Sequence, residues 1–266
     1  HVAVDIKKAM DEHRSIQEAL EDAGVEVVKV DPPEGCQDGV YTANWALIRG
    51  NKAVMSRLPN ARKQEEPYAE KILKGLGFET IKMPDDLRFS GQGDALPCGN
   101  YLFVGSEYRT DREVHQFLAD SLGYEVVGLQ AKPERKWFGW GPRVTNKASG
   151  WPDSFYYDID LALAVIKAPD ARQPGLIAWC PKALMKESAE RIRALPLDKI
   201  EVSFKEAQHA FACNLVSTGE TVVMSAFAPK LKADLEARGL TVLTPVVREL
   251  GKGGGFIRCT TLTLDN

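Results

Sequence analysis

One cysteine lies in a sequence context that suits nucleophilic chemistry. Cys259 follows shortly after three consecutive glycines, Gly253 to Gly255, which permit a tight backbone turn. A cysteine thiolate held at such a turn can attack an electrophilic carbon and form a covalent intermediate. The alternative is a buried and unreactive thiol. The glycine turn favours the nucleophile.

Other common reactive sites are not indicated. The five cysteines are scattered and contain no CxxC pair, so we expect neither a disulfide framework nor a zinc site, and we predict no metal and no cofactor. The glycine-rich stretch 251–255 lacks the spacing and the Lys-Ser/Thr pair of a phosphate-binding loop.

The composition is that of an ordinary globular protein. The chain has 266 residues, of which 44% are hydrophobic and 27% charged, and its formal net charge is -3. Because no basic stripe is present, we predict no nucleic-acid partner. No apolar run approaches the roughly 20 residues that span a bilayer, and no signal peptide opens the chain. We therefore predict no membrane association and a cytoplasmic location.

The elements that must position Cys259 repeat along the chain. Five times, a charged amphipathic helix leads through a turn into a short apolar strand. The helices are predicted at about 4–22, 65–74, 111–121, 182–194 and 229–238, and the strands that follow them at 23–28, 77–81, 123–127, 197–202 and 239–243. A second strand is predicted before four of the helices, at 50–55, 99–104, 175–179 and 219–224. The first helix has none, which a missing N-terminal strand would explain.

Five units of this kind cannot bury their apolar faces singly. They do so by closing into a ring, which predicts an α/β fold of the five-unit propeller type, with an open α/β sheet as the alternative. We treat residues 1–266 as a single domain. A tryptophan-rich insertion at about 131–153 is expected to form a lid, a subunit contact or a surface excursion. A homo-oligomer is compatible with this pattern.

Five short segments carry a resemblance to one enzyme superfamily. They are DGVYTAN (38–44), FSGQGDAL (89–96), GSEYRTD (105–111), FYYDIDLAL (155–163) and KGGGFIRCTTLTL (252–264). In this order they resemble motifs of the amidinotransferase, arginine deiminase and dimethylarginine dimethylaminohydrolase superfamily, the penteins, and most closely its arginine dihydrolase-like branch. The superfamily fold is a five-bladed α/β propeller, which agrees with the five units.

The resemblance implies a hydrolase that acts on the guanidino group of arginine or a related amino acid. Cys259 would attack the guanidinium carbon and form a covalent thiouronium, with Asp158 and Asp160 as the other catalytic residues. By position, the implied substrate-binding residues are Asp38, Asn44, Arg62, Asp94 and Arg109. Arginine suits the planar, bidentate binding of a substrate carboxylate.

Two positions depart from the superfamily motifs. Asp158 stands where the superfamily has its catalytic histidine, and Ser90 where it has a glutamate. Two carboxylates beside Cys259 would raise the pKa of its thiol, whereas a bound guanidinium would offset that effect. Two alternatives therefore stay open: a diverged protein that binds an amino acid or a protein partner without turnover, and an amidinotransferase.

Overall fold

The computed structural model describes residues 3–136, 141–147 and 150–265. Three aromatic residues of the predicted insertion, Trp137, Phe138 and Trp140, lie outside the described residues. Residues 139, 148 and 149 of the insertion also lie outside the described residues, and its other positions are described. It contains two isolated bridges, between Arg135 and Arg143 and between Thr145 and Pro152.

The described strands form four small sheets of three strands each. In every sheet the first two strands are antiparallel, and the third is parallel to the second. The first two sheets contain β1 (Ala46–Arg49), β2 (Lys52–Met55) and β3 (Glu79–Ile81), then β4 (Ala95–Cys98), β5 (Tyr101–Val104) and β6 (Glu125–Gly128). The other two contain β7 (Leu163–Lys167), β8 (Leu176–Trp179) and β9 (Asp198–Glu201), then β10 (Val216–Ser217), β11 (Thr221–Val223) and β12 (Thr241–Leu243).

Helices supply the crossovers that the parallel strands require. The α-helices of the described chain are α1 (Ile6–Asp22), α2 (Glu65–Gly75), α3 (Val114–Leu122), α4 (Lys186–Ala194), α5 (Phe204–Ala210) and α6 (Pro229–Glu236). In each sheet the second and third strands are joined through one helix: α2, α3, α4 and α6 in turn. Helix α1 precedes the first sheet, and α5 lies between the third and fourth. No helix within the described ranges is long and apolar enough to cross a membrane.

The mixed α/β class is confirmed, and the five predicted helices are present. The strand predicted at 23–28 is wrong. The Val25 N–H instead bonds to the Leu20 carbonyl at 3.0 Å and closes the end of α1. Val25 and Val27 pack on the apolar cluster around α1. This burial accounts for the alternation of apolar and polar residues at 25–28 without any strand pairing. The described residues thus form four sheets, with α1 as a fifth helix that carries no sheet of its own.

The first strand of each sheet was not predicted from the sequence. In two sheets it joins the second strand through a two-residue turn, Gly50-Asn51 or Gly99-Asn100. Both glycines have positive φ, 57° and 62°, which suits the first central position of a tight hairpin turn. Strands β1 and β4 begin directly after the short helical turns that carry the DGVYTAN and FSGQGDAL motifs, so the hairpins place both motifs at strand ends.

Helix α1 holds the segment that leads to Cys259. Ile16 and Leu20 of α1 are buried in one cluster with Ile257. The Glu12 carboxylate accepts hydrogen bonds of 2.8–3.1 Å from the backbone N–H groups of residues 248, 249 and 250. One carboxylate therefore caps the start of the last helical turn before the glycines.

Gly123→Ala should lower the free energy of unfolding by about 1 kcal/mol, because Gly123 ends α3 in the left-handed conformation, with φ 72°. The control is Gly75→Ala in the last turn of α2, where an added Cβ meets no atom within 4 Å and φ is not positive. That variant should be neutral or stabilising by about 0.5 kcal/mol. Urea denaturation measures both, and equal effects would contradict the assignment.

Candidate active site

The thiol of Cys259 is buried and held by an asparagine. Cys259 is 3% exposed and lies in a short 3-10 turn, Arg258–Thr260. The side chain of Asn214 donates to the Cys259 Sγ at 3.1 Å and accepts from the Cys259 backbone N–H at 3.1 Å. Sequence reasoning missed Asn214, which lies in the loop after α5 and belongs to none of the recognised motifs. Its two bonds fix both the backbone and the sulfur of Cys259.

The glycines before Cys259 are required by a close approach of Tyr41. A Cβ at Gly255 would collide with the Tyr41 ring, and one at Gly253 would collide with its hydroxyl. The Tyr41 hydroxyl donates to the Leu250 carbonyl at 2.8 Å. Burial raises the pKa of Tyr41 to about 12, so this hydroxyl keeps its proton at neutral pH. The glycine turn therefore lets the chain pass against a fixed tyrosine.

Three carboxyl groups lie buried close to one another, and one of them contacts the thiol. The Cys259 Sγ is 3.5 Å from the Asp160 Oδ2 and donates to it. The Asp158 Oδ2 accepts from Asn44 at 2.8 Å, and Asp94 accepts from the Ile159 backbone N–H at 2.8 Å. In both Asp158 and Asp160 the Oδ1 atom accepts no hydrogen bond from the described part of the chain.

Burial and mutual repulsion keep protons in this cluster. Burial and the charge of Asp158 raise the pKa of Asp160 to about 8, against an ordinary value of 3.8. Burial, again with a contribution from Asp158, raises the pKa of Asp94 well above its usual range. Burial and then the carboxylate of Asp160 raise the pKa of the Cys259 thiol well above 9.0. Cys259 is therefore protonated at neutral pH, and burial contributes more to this than the carboxylates.

Asn44 connects the carboxyl cluster to Arg62. Its Nδ2 donates to the Asp158 Oδ2 and, at 2.9 Å, to both the carbonyl and the hydroxyl of Ser90. Its Oδ1 accepts from the Arg62 Nη1 at 2.7 Å. Ser90, which replaces a superfamily glutamate, therefore serves here as an acceptor for Asn44.

The guanidinium of Arg62 is engaged within the protein. It forms two bonds with Glu65, at 2.7 and 2.6 Å, in addition to the bond to Asn44. Its Nη2 also reaches the backbone carbonyls of Tyr41, at 3.1 Å, and Asp38, at 3.3 Å. Glu65 is fully buried. Arg62 therefore joins α2 to the turn that carries Asn44.

Arg109 lines an open cleft and also contacts the buried carboxyl cluster. Its guanidinium lies 3.9 Å from the centre of the Tyr157 ring, and its Nη1 is 3.5 Å from the Asp158 Oδ2. A cleft of about 140 Å³ opens here. The residues around it include Asp38, Arg62, Arg109, Trp151, Asp153 and Tyr157.

The structure thus divides the predicted site residues into two groups. Asp38, Arg62 and Arg109 line the open cleft. Asn44, Asp94, Asp158, Asp160 and Cys259 are buried. Arg109 belongs to the cleft and also contacts the buried Asp158, so it connects the two groups.

A buried thiol, paired carboxyls and an arginine-lined cleft agree with the superfamily that the motifs resemble, and comparison with known proteins confirms the superfamily. The model of the family described as N,N dimethylarginine dimethylhydrolase, eukaryotic, matches residues 2–137, just over half of the chain. The chain belongs to this family.

Individual relatives cover almost the whole chain. The bifunctional arginine dihydrolase/ornithine cyclodeaminase AgrE of Nostoc sp. is 30% identical over 260 residues, which are 96% of this chain and 33% of AgrE. The N(G),N(G)-dimethylarginine dimethylaminohydrolase of Mycobacterium tuberculosis is 29% identical over 263 residues, 98% of this chain and 77% of that protein. The chain spans about a third of the length of the bifunctional relative.

A solved domain matches the fold closely. It is the N-terminal domain of ArgZ with bound substrate, described as an arginine dihydrolase from the ornithine-ammonia cycle in cyanobacteria. The TM-score is 0.83 at 27% identity, and the match covers 98% of this chain and 88% of that domain. A second structure of the ArgZ domain, with a TM-score of 0.82 at 27% identity, is covalently bonded to a reaction intermediate, and the match covers 97% of this chain and 87% of that one.

Glu65→Ala should lower the free energy of unfolding by about 3–5 kcal/mol, because it leaves the buried Arg62 guanidinium without its carboxylate. Lys74→Ala in the same helix is the matched control. It breaks an exposed pair with Glu70 and should cost under about 1 kcal/mol. Urea denaturation compares the two, and a Glu65→Ala loss as small as the control's would show that the buried pair is dispensable.

Asp160→Asn should change how stability depends on pH. The folded carboxyl has a pKa of about 8 and the ordinary value is 3.8, so the folded protein holds the extra proton between them. Its stabilising contribution is therefore full below about pH 4 and is lost as the pH rises towards 8. Asp160→Asn should be more stable than the parent at pH 8, by a few kcal/mol at most, and match it near pH 4. Urea titrations at several pH values test this, and parallel curves for the two proteins would assign the proton to another group.

Proposed function

We propose that this protein is a guanidino-group hydrolase that acts on arginine or a related amino acid through Cys259. One observation carries the proposal: beside the Cys259 sulfur, Asp158 and Asp160 each present a buried oxygen that accepts no hydrogen bond from any described residue. Unpaired buried acceptors of this kind are costly. A guanidinium brings five N–H donors and a positive charge in one plane, which suits both oxygens.

The relatives support covalent chemistry on arginine. AgrE and ArgZ carry arginine dihydrolase in their names, and the ArgZ domain that this chain matches over 97% of its own length forms a covalent intermediate. The chain spans only a third of AgrE and of ArgZ, so we carry over only the activity described for the matching ArgZ domain.

The amino-acid end of the substrate would lie in the open cleft. Arg109 faces the cleft and would bind the α-carboxylate, with Asp38 on the same wall. Arg62 also lines the cleft, and its longest bond, 3.3 Å to the Asp38 carbonyl, is the one it could exchange for a substrate oxygen. Asn44 and Asp94 would hold Asp158 and the 158–160 segment in position behind the guanidinium.

Substrate binding would activate the thiol. A guanidinium between Asp158 and Asp160 adds a positive charge beside the sulfur, which lowers the pKa of the Cys259 thiol from its raised value. The same positive charge lowers the pKa of Asp160, whose own proton leaves to solvent, and the thiol proton then passes to the Asp160 Oδ2, which lies 3.5 Å away. The thiolate attacks the central guanidinium carbon, and the C–N bond to the leaving amine breaks as that amine takes a proton from Asp160. Cys259 is left as a thiouronium.

Hydrolysis would use the same carboxyls in reverse. Water attacks the thiouronium carbon and gives a proton to Asp158 or Asp160, the C–S bond breaks, and the ureido product leaves as the thiol regains its proton. A carboxyl with a pKa of about 8 is well matched to proton transfer near neutral pH, so Asp160 can perform the role of the absent histidine.

One observation favours the second candidate, which is binding without turnover. In the ligand-free protein the thiol is buried, protonated and surrounded by carboxyls, so its activation depends wholly on the substrate's charge. If the guanidinium bound without lowering the pKa far enough, the protein would be a binder of guanidino amino acids.

We also propose that the four sheets and α1 together represent the five-unit propeller predicted from the sequence, in a single domain. Helix α1 packs against Val223 of β11 and Ile257 near the nucleophile, which is the position that a fifth unit would take between the last sheet and the first. The insertion at about 131–153 would be an addition to this ring.

Purified protein should convert arginine to a ureido product with release of ammonia. Cys259→Ala should reduce the rate at least about a thousandfold, because the covalent route is lost. Cys98→Ala, which removes a buried thiol from β4, is the matched control and should retain activity. Mass spectrometry after rapid acid quenching should find a covalent adduct on Cys259.

Two outcomes would contradict the proposal. Turnover that survives in Cys259→Ala would exclude Cys259 as the nucleophile. Saturable arginine binding without ammonia, adduct or ureido product would establish the binder instead.

A further inference from the structure

We propose that Asp153 of the insertion, together with Asp38, recognises the α-ammonium group of the substrate and makes the insertion a determinant of specificity for α-amino acids. This inference rests on the proposed function, because it concerns the amino-acid end of the same site. It assigns a role to a segment that neither the sequence motifs nor the catalytic steps require.

The backbone around Asp153 is fixed on both sides. The Asp153 N–H donates to the Val144 carbonyl at 2.9 Å, and its carbonyl accepts from the Glu134 N–H at 3.1 Å. One carboxylate oxygen accepts from the Ser154 N–H at 3.0 Å. The other oxygen accepts no hydrogen bond from the described segments, so it is available to a ligand in the cleft that Asp153 lines.

The charges that line the cleft favour a cation. The charge of Arg62 is offset by Glu65, and that of Arg109 by Asp158. Asp38 and Asp153 line the same cleft, and neither forms an ion pair within the described residues. Two carboxylates on the cleft wall therefore have no ion-pair partner among the described residues, and a positive group in the cleft would be attracted to them.

An α-amino acid matches this arrangement. Its carboxylate and ammonium groups share one carbon, so a carboxylate held by Arg109 brings the ammonium to the same stretch of cleft wall. The ammonium has three donors, enough for both Asp38 and Asp153. A guanidino compound without the ammonium offers no donor to these two carboxylates, so neither adds to its affinity.

The insertion is tied to the turn that carries Arg109. Arg143 of the insertion pairs with Glu107 at 3.1 Å, two residues before Arg109. Glu107 itself has a φ of 76°, which is rare for a residue with a side chain and is typical of functional sites. The Arg88 guanidinium lies 4.9 Å from the centre of the Trp151 ring. These contacts tie the insertion to the segment around Arg109, and recognition of two adjacent charges requires such a connection.

The test compares two ligands that differ only in the α-amino group: arginine and 5-guanidinopentanoate. Binding is measured by calorimetry in the Cys259→Ala background, so it does not depend on turnover. Asp153→Asn keeps an oxygen for the Ser154 N–H and removes the charge. It should weaken arginine binding about tenfold and change 5-guanidinopentanoate binding less than about twofold. Asp86→Asn, an exposed carboxylate beside the neighbouring cavity that Trp151 also lines, is the control and should change neither.

Each outcome decides the inference. Equal weakening of both ligands, or no weakening of either, overturns the role of Asp153 and leaves the proposed function standing. If the unmodified protein binds arginine without turning it over, and Asp153→Asn still discriminates between the ligands, the proposed function fails and the role of Asp153 is supported. If arginine does not bind at all, both are overturned.

Discussion

Three buried carboxyl groups, one of which contacts the Cys259 thiol, are the constraint on which the rest of the site depends. Ionised together in a dry interior, Asp94, Asp158 and Asp160 would repel one another at a prohibitive cost. The protein avoids this by holding protons on Asp94 and Asp160, by placing Asn44 and Arg109 against Asp158, and by directing a backbone N–H at Asp94. The compensation is incomplete, and a cationic ligand would complete it. Under the proposed function, this incomplete compensation is what would favour a guanidinium over a neutral ligand.

Hydrogen-bonded side chains around the carboxyl cluster keep it in place. Glu65, Arg62 and Asn44 form a chain of short hydrogen bonds that runs from α2 to the Asp158 carboxylate. Two glycines permit the close packing: a Cβ at Gly105 would collide with the Asp94 carboxyl, and one at Gly93 would collide with Asn44. Preorganisation of this kind places the reactive groups before the substrate arrives, so little reorganisation is needed during the reaction. The same chain of hydrogen bonds explains why Arg62 connects α2 to the turn that carries Asn44 and also lines the cleft.

Much of this architecture could be predicted from the sequence, because the periodicity of helices and the glycines at their ends are local signals. The helices and the parallel strands were found in this way. The first strand of each sheet was not predicted. Strands β1 and β4 follow helical turns, and their pairing depends on burial by residues that are distant in the chain. At the site, the motifs indicated the buried Asp94, Asp158 and Asp160 and also Cys259. They could not indicate the contacts of Asn214 and Glu65 or the position of Asp153 on the cleft wall, because only tertiary packing creates these arrangements.

The carboxylate of Glu12 connects regions that are 236 to 238 residues apart in the chain. Contacts of such long range are formed late in folding, because closing a long loop costs entropy before any contact repays it. The four sheets consist of neighbouring segments and can assemble earlier. We therefore expect a folding molecule to pass through a stage in which its sheets are complete and the turn that carries Cys259 is still loose. During that stage the thiol is exposed to water and lacks the burial that raises its pKa, so oxidation and alkylation threaten the nascent chain more than the native protein. The contact between α1 and the last turn ends this vulnerability.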